Sequence, residues 1–321
     1  MTVTDPTTTE EATTVAKPRG WMARALDSDI FFSFKQSKVT MLAAFVTAIY
    51  FFSALFAPLI APHNPLDLAS IDLMDSLIPP VWMDSGEARF LIGTDDQGRD
   101  LLSSIMYGAR ISLAIGFASV IFAAVLGIGL GLLAGYVGGA VDAVIMRIAD
   151  IQLTFPSILI ALLIDGTVHG IWSHLNRENT AFWVMTISIG LSFWVQYART
   201  VRSSTLVEKN KEYVQAARLI GIHPIAIMLR HVLPNVIGPV LVIATINLAL
   251  AIIFEATLSF LGVGYPPTIP SLGTLIRIGQ DFLFSGEWWI TIFPGVALAG
   301  LVLAVNLLGD WLRDALNPKL R

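Results

Sequence analysis

The sequence predicts an all-α, polytopic membrane protein with six transmembrane helices. Three observations carry this. Of 321 residues, 55% are hydrophobic and only 14% charged, and the mean hydropathy is +0.71, more apolar surface than a soluble fold of this size can hide. Apolar runs of about 20 residues, long enough to cross a hydrocarbon core, recur near 39–61, 111–135, 142–165, 181–200, 236–262 and 288–311. Lysine and arginine, finally, concentrate in alternate connections between those runs.

The elements follow in order. Residues 1–38 open with a Thr-, Asp- and Glu-rich stretch that has too few large apolar residues to fold, so this tail is expected to be partly disordered. The run 39–61 is too long for a cleaved signal and is read as a retained first span. The connection 62–110 is punctuated by Pro62, Pro65, Pro79 and Pro80. From Asp96 to Arg110 it turns amphipathic, with Leu101, Leu102, Ile105 and Met106 at helical spacing, which predicts an elbow helix leading into the second span. Gly127, Gly129, Gly131 and Gly135 in that span favour close helix packing, and Gly138-Gly139 a tight turn after it. Pro156 and Pro294 are candidate kinks in the third and sixth spans. Residues 111–311 form the five-helix core, and 312–321 the basic C-terminus.

Orientation follows from charge. Lys17, Arg19, Arg24, Lys35 and Lys38, the connection after the fourth span, and Arg313, Lys319 and Arg321 all fall on one side. Taking the basic side as cytoplasmic places both termini there, and the acidic 62–110 connection outside.

The connection 199–235 is a polar island between two apolar spans. It reads Glu212-Tyr213-Val-Gln215-Ala216-Ala217-Arg-Leu-Ile-Gly221, and closes on Arg230-His231-Val-Leu-Pro234-Asn235. This predicts two short helices joined at Gly221, whose residue type suits a helix stop at positive φ, with Pro234 in the first turn of the helix that follows. The basic residues also suit an interfacial hairpin held by anionic membrane lipid. No Gly-Lys dipeptide occurs, so the chain cannot form a Walker-type phosphate loop and is not expected to hydrolyse ATP. Without cysteine there is no disulfide, thiol nucleophile or Cys-ligated metal. His169 and His174 lack a third ligand nearby, and His223 and His231 belong to the island. No catalytic constellation, cofactor, metal site or nucleic-acid partner is expected.

Gln215-Ala216-Ala217, Gly221 and His231-Val-Leu-Pro234 resemble the coupling loop of ABC importer permeases, with Gln215 where that family usually carries Glu. Leu91-Ile-Gly-Thr-Asp-Asp-Gln-Gly-Arg-Asp100 and Tyr107-Gly-Ala-Arg-Ile-Ser-Leu113 resemble the segment before the second span of the oligopeptide/dipeptide C-type permeases. The resemblance implies a type I importer permease core in the inner membrane. It further implies a homologous permease beside it, ATPase subunits gripping Glu212, Tyr213, Gln215, Ala216, Ala217, Gly221, His231 and Pro234, and a periplasmic solute-binding protein. Di- or oligopeptides are the favoured solutes, with nickel chelates and glutathione as alternatives.

Three charged residues lie inside the predicted spans. Glu255, in the fifth, is either a pathway group or a structural hydrogen-bonding group. Arg147 and Asp150 sit one turn apart on one face of the third, which predicts an interior pair, structural or in contact with solute. A rival reading, an ion-driven secondary transporter, would use Glu255 and Asp150 as coupling acids but leaves the Ala-Ala…Gly element unexplained. So does a third, an anchoring subunit without a pore.

Overall fold

The computed structural model describes residues 34–67, 69, 71–171 and 177–316. The acidic tail with Lys17, Arg19 and Arg24 lies outside the described residues, as do His174, the side chains of His169 and Arg177, and Lys319 and Arg321. Among the described residues the chain is helical, and its sole β contact is an isolated bridge between Thr94 and Asp100.

The first span is α1, Lys38–Leu55, whose Ser37 hydroxyl caps the Thr40 N–H at 3.2 Å. It breaks at Phe56, where Pro58 opens the short α2, Ala57–Ile60. After the cap segment comes α3, Leu101–Val137, 37 residues without interruption. At 1.5 Å per residue it is about 55 Å long, well beyond a hydrocarbon core of about 30 Å. This corrects the expected elbow: the amphipathic residues after Asp100 are the first turns of the spanning helix itself. No proline interrupts the helix there, Asp100 accepts from the Ser103 N–H at 3.0 Å, and Leu101 and Tyr107 are buried.

A short turn leads to α4, Gly139–Thr154, and α5, Ser157–Ile171, which meet at a 94° bend around Pro156. A proline removes a backbone donor and crowds the preceding turn, and here the predicted third span is divided into two helices rather than merely curved. The fourth helix, α6, runs Arg177–Glu208. A Cβ on Gly127, Gly131 or Gly135 would fall 2.4, 2.5 or 2.7 Å from α6 atoms at Tyr197, Ala198 and Thr205. The rising register of these contacts makes α3 and α6 parallel and lets their backbones touch. Gly129 takes no part, facing open space.

The island supplies α7, Glu212–Leu219. Beyond it α8, Pro224–Ile227, passes through a π-turn, Met228–Val232, into α9, Leu233–Phe260. The expected second short helix is therefore the foot of the fifth span. Pro234 does occupy the first turn of α9, but it cannot donate a hydrogen bond, and just before it the ladder slips to i+5, with the Leu233 N–H bonded to Met228. An unforeseen amphipathic helix, α10, Leu272–Phe282, lies between the fifth and sixth spans, and α11, Trp289–Leu316, completes the bundle. Among the described residues five helices are long and apolar enough to cross a membrane, and the count reaches six when the bent α4–α5 pair is taken as one broken span. The main core joins Ile115 of α3, Met185, Ile189 and Tyr197 of α6, and Leu258 of α9.

Candidate functional site

The island folds as a short amphipathic helix lying across the end of the bundle. Val214 and Ala217 are buried, whereas Gln215, Ala216 and the tip are exposed. The helix stops in a Schellman arrangement: Ile222 N–H donates to Ala217 O and Gly221 N–H to Arg218 O, each at 3.1 Å. Gly221 has φ +79°, and a Cβ there would touch nothing within 4 Å. Backbone conformation alone therefore requires glycine at this position. The stop leaves Leu219 and Ile220 88% and 76% exposed beside one another.

Polar contacts fix this helix to three others. Lys209 donates to the Gly135 carbonyl at 2.7 Å, and Arg218 lies over the Tyr136 ring, 4.8 Å from its centroid, tying the island to the end of α3. Tyr213 donates its hydroxyl to Glu208 at the end of α6 and accepts from Asn235 at 3.0 Å. Asn235 also donates to the His231 carbonyl at 2.8 Å, anchoring the π-turn. Burial and the neighbouring Glu208 carboxylate push the Tyr213 hydroxyl up to about 12, so it stays a donor throughout the neutral range. Gln215 reaches back to the Lys209 carbonyl at 3.4 Å. The structure thus gathers Glu212, Tyr213, Gln215, Ala216, Ala217, Gly221, His231 and Pro234 onto one element and its immediate support. The Tyr213–Asn235–Glu208 contacts were missed in the sequence because they join residues across a helix end.

Glu255 is fully buried between α3 and α9. It accepts from Ser112 of α3 on one oxygen, and on the other from Ser259 of α9 at 2.7 Å. Ser271, the cap of α10, faces it as well. A buried acid is tolerated when its oxygens are hydrogen-bonded, and this arrangement joins three helices.

Arg147 and Asp150 do not pair. Asp150 accepts from Arg199 of α6 at 2.6 Å, and both side chains are about half exposed on this chain. The expected interior pair is thus corrected: α4 buries Ile145 and Ala149 against α6 and turns Arg147 to the opposite side. Asp165 of α5 is a buried acid that sequence reasoning passed over, although an acid at the end of the apolar run 158–164 was a visible signal.

At the opposite end of the bundle, the described residues between 62 and 100 form an irregular cap. Asp95 accepts from the Arg99 N–H at 2.9 Å and from Arg99 Nε at 2.6 Å, both residues almost wholly buried. Arg99 Nη1 reaches the carbonyl of Pro267, 3.0 Å away in the α9–α10 link. Thr94 accepts from the Ile78 N–H at 2.8 Å and donates to the Asp75 carbonyl at 2.6 Å, while Trp289 Nε1 donates to the Thr94 carbonyl at 3.2 Å. The Thr-Asp-Asp-Gln-Gly-Arg-Asp run is therefore the clasp between the cap and two helices.

A bundle of apolar helices with a polar, glycine-stopped helix across one end and a folded cap at the other is the architecture of a transport permease. The chain belongs to the family described as "Binding-protein-dependent transport system inner membrane component", which matches residues 127–321. Residues 28–80 match the "N-terminal TM domain of oligopeptide transport permease C". It is 40% identical over 290 residues to the di/tripeptide transport system permease protein DppC of Pseudomonas aeruginosa, covering 90% of this chain and 91% of the relative. The dipeptide transport system permease protein DppC of Escherichia coli K12 is also 40% identical, over 289 residues, with the same coverages. Among solved structures, the permease fold of the inward-facing MetNI methionine ABC transporter aligns with TM-score 0.52 at 19% identity, covering 68% of this chain and 98% of that one.

Proposed function

We propose that this chain is one of two permease subunits in an ATP-driven importer that carries di- and oligopeptides across the inner membrane. The observation that carries the reading is α7: a helix pinned to α3, α6 and the foot of α9, stopped at Gly221, with exposed Leu219 and Ile220 at its tip. A soluble ATPase that grips this helix moves the ends of three spanning helices together. The names of the DppC relatives support peptides as the solute.

In this reading the termini and the island face the cytoplasm, since the basic residues gather there, and the cap faces the solute-binding protein outside. ATP closes the ATPase dimer, α7 follows, and the bundle opens outward; hydrolysis resets it. The parallel α3–α6 pair, with backbones in contact along the glycine stripe, transmits the displacement as a rigid unit. Glu255 serves as the structural joint of α3, α9 and α10 rather than as a solute group.

The test is affinity purification of the tagged chain in mild detergent, followed by reconstitution. A second permease and one or two ATPases should co-purify, and the vesicles should accumulate a labelled dipeptide only with ATP and binding protein. Recovery of this chain alone, with uptake abolished by an uncoupler, would overturn the reading.

A further inference from the structure

A crevice runs along the flank of the bundle where α1, α3, α9 and α11 meet. Phe117 of α3, Leu241, Ala244 and Leu248 of α9 and Leu312 of α11 surround a volume of ≈ 390 Å³. A recess of ≈ 180 Å³ adjoins it and reaches Thr47 of α1 and Val305 of α11. Phe117 and Leu241 stay 39% and 47% exposed, so the mouth opens sideways from the spanning helices. Apart from Thr47 and Thr245 the walls carry no polar residue. Thr245 turns its hydroxyl back onto the Val242 carbonyl at 2.8 Å, which leaves only the buried Thr47 hydroxyl without a partner.

The walls decide what fits. Water is disfavoured in an apolar space, and a peptide would bury its charged ends against a single hydroxyl. From Leu241 to Leu248 the helix rises about 10 Å, so the main volume has a cross-section of about 40 Å², half the roughly 80 Å² of a helix 10 Å across. An extended hydrocarbon chain does fit: an apolar cavity of about 150 Å³ takes benzene, and on that scale ≈ 390 Å³ takes roughly fifteen carbons. The depth agrees. Leu312 is one turn from the end of α11 and Leu241 about two turns above the start of α9, so the crevice lies within the roughly 15 Å of one leaflet, at the basic end of the bundle. Arg313 stands at its rim, exposed and without a hydrogen bond or ion pair among the described residues. At about 100° per residue it borders the face of α11 formed by Val305, Gly309 and Leu312, whereas Asp310 and Asp314 fall on the opposite side. We propose that the crevice holds one acyl chain of an anionic phospholipid from the leaflet at the basic end, with the lipid phosphate at Arg313. The lipid is a packing piece of the bundle, supplying the contacts that α3, α9 and α11 leave unmade there. The inference needs only that the bundle spans a membrane and is independent of the solute carried.

The test uses the full chain with its native partners, reconstituted in phosphatidylcholine vesicles with a small fraction of phosphatidylglycerol that carries a diazirine in mid-chain. After irradiation, adducts should concentrate in 241–248 and 305–312, well above those on Leu42 and Phe45, whose exposed side chains on α1 report ordinary lipid contact. Ala244→Phe, which fills the crevice, should remove the concentrated adducts and leave those on α1. Arg313→Gln should weaken them about fivefold, the loss expected for one basic residue at an anionic surface. Should Ala244→Phe fail to insert, the wild-type map and Arg313→Gln decide. Equal labelling of α1 and the crevice, meaning boundary lipid only, would overturn the proposal, as would equal labelling by a phosphatidylcholine probe or no response to Arg313→Gln. Adducts displaced by excess dipeptide would make the crevice part of the solute path instead. p-Benzoyl-phenylalanine at position 241 should capture lipid, and capture of a second permease in its place would assign the crevice to protein and overturn the proposal.

Discussion

The cap and the island close the two ends of the same bundle, and they are built in opposite ways. The cap has almost no regular secondary structure, yet Thr94, Asp95, Arg99 and Asp100 are buried in it. Its irregular backbone keeps one shape because a charge pair and side-chain bonds to main-chain groups leave it little alternative. The island is a regular helix, yet its tip is exposed apolar surface and its bonds lie at its edges. The cap is held by bonds within the chain, and its apolar side chains Leu73, Met74 and Trp82 stay exposed, as Leu219 and Ile220 do on the island.

The largest expected effect comes from breaking the cap. Arg99→Met leaves the buried Asp95 carboxylate without its cation and the Pro267 carbonyl without its donor. Removing one member of a buried pair costs about 3–5 kcal/mol. The detergent-solubilised protein should melt markedly lower, and protease should cut within 62–100. Arg99→Lys should fall between, since one ammonium cannot reproduce a guanidinium that bonds on two sides. An unchanged melting temperature for Arg99→Met would mean that Trp289 and Thr94 hold the cap unaided, and the contrast with the island would lose its basis.

A smaller and differently placed effect is expected at Gly221. Its φ of +79° costs an L-residue about 1–2 kcal/mol, more for a β-branched one. Because a Cβ there meets no neighbour, the strain should re-aim the chain after α7 without disturbing the bundle. Gly221→Val should abolish most ATP-driven uptake while leaving melting and insertion near wild type. Gly221→Asn should be milder, since asparagine tolerates the left-handed region better. A large drop in melting for Gly221→Val would place the island among the elements that hold the fold.

The two ends also differed in how legible they were in the sequence. The island could be read because its signals are local: Ala-Ala, a glycine four residues on, and a proline ahead of a long apolar run. The cap could be noticed but not understood, because Arg99 bonds across 168 positions to Pro267. The span count was readable from apolar runs, but not the length of α3, where amphipathic and fully apolar stretches join without a breaking residue. Arg147 and Asp150 show the limit of spacing: one turn apart is compatible with a pair, but α6 offers Asp150 a nearer cation in Arg199. Helix α10 was missed because its eleven residues fall below the length that marks a span.

The smallest effect should come from Tyr213→Phe, and it separates two ways the island can be held. The hydroxyl donates to Glu208 and accepts from Asn235, but Glu208 keeps its Lys211 partner at 2.8 Å, and Asn235 keeps the His231 carbonyl. Such a bond contributes about 0.5–1.5 kcal/mol, and solvent at the rim favours the lower end. Global melting should not move. Protection of the α7 amides against hydrogen exchange should fall about twofold to tenfold, and uptake should drop modestly with no change in which peptides are carried. If α7 exchange is unaltered, the hold on the island lies instead with Lys209 on Gly135 and Arg218 on Tyr136. Lys209→Met would then loosen α7, and its force would pass chiefly into α3 rather than through α6 and α9.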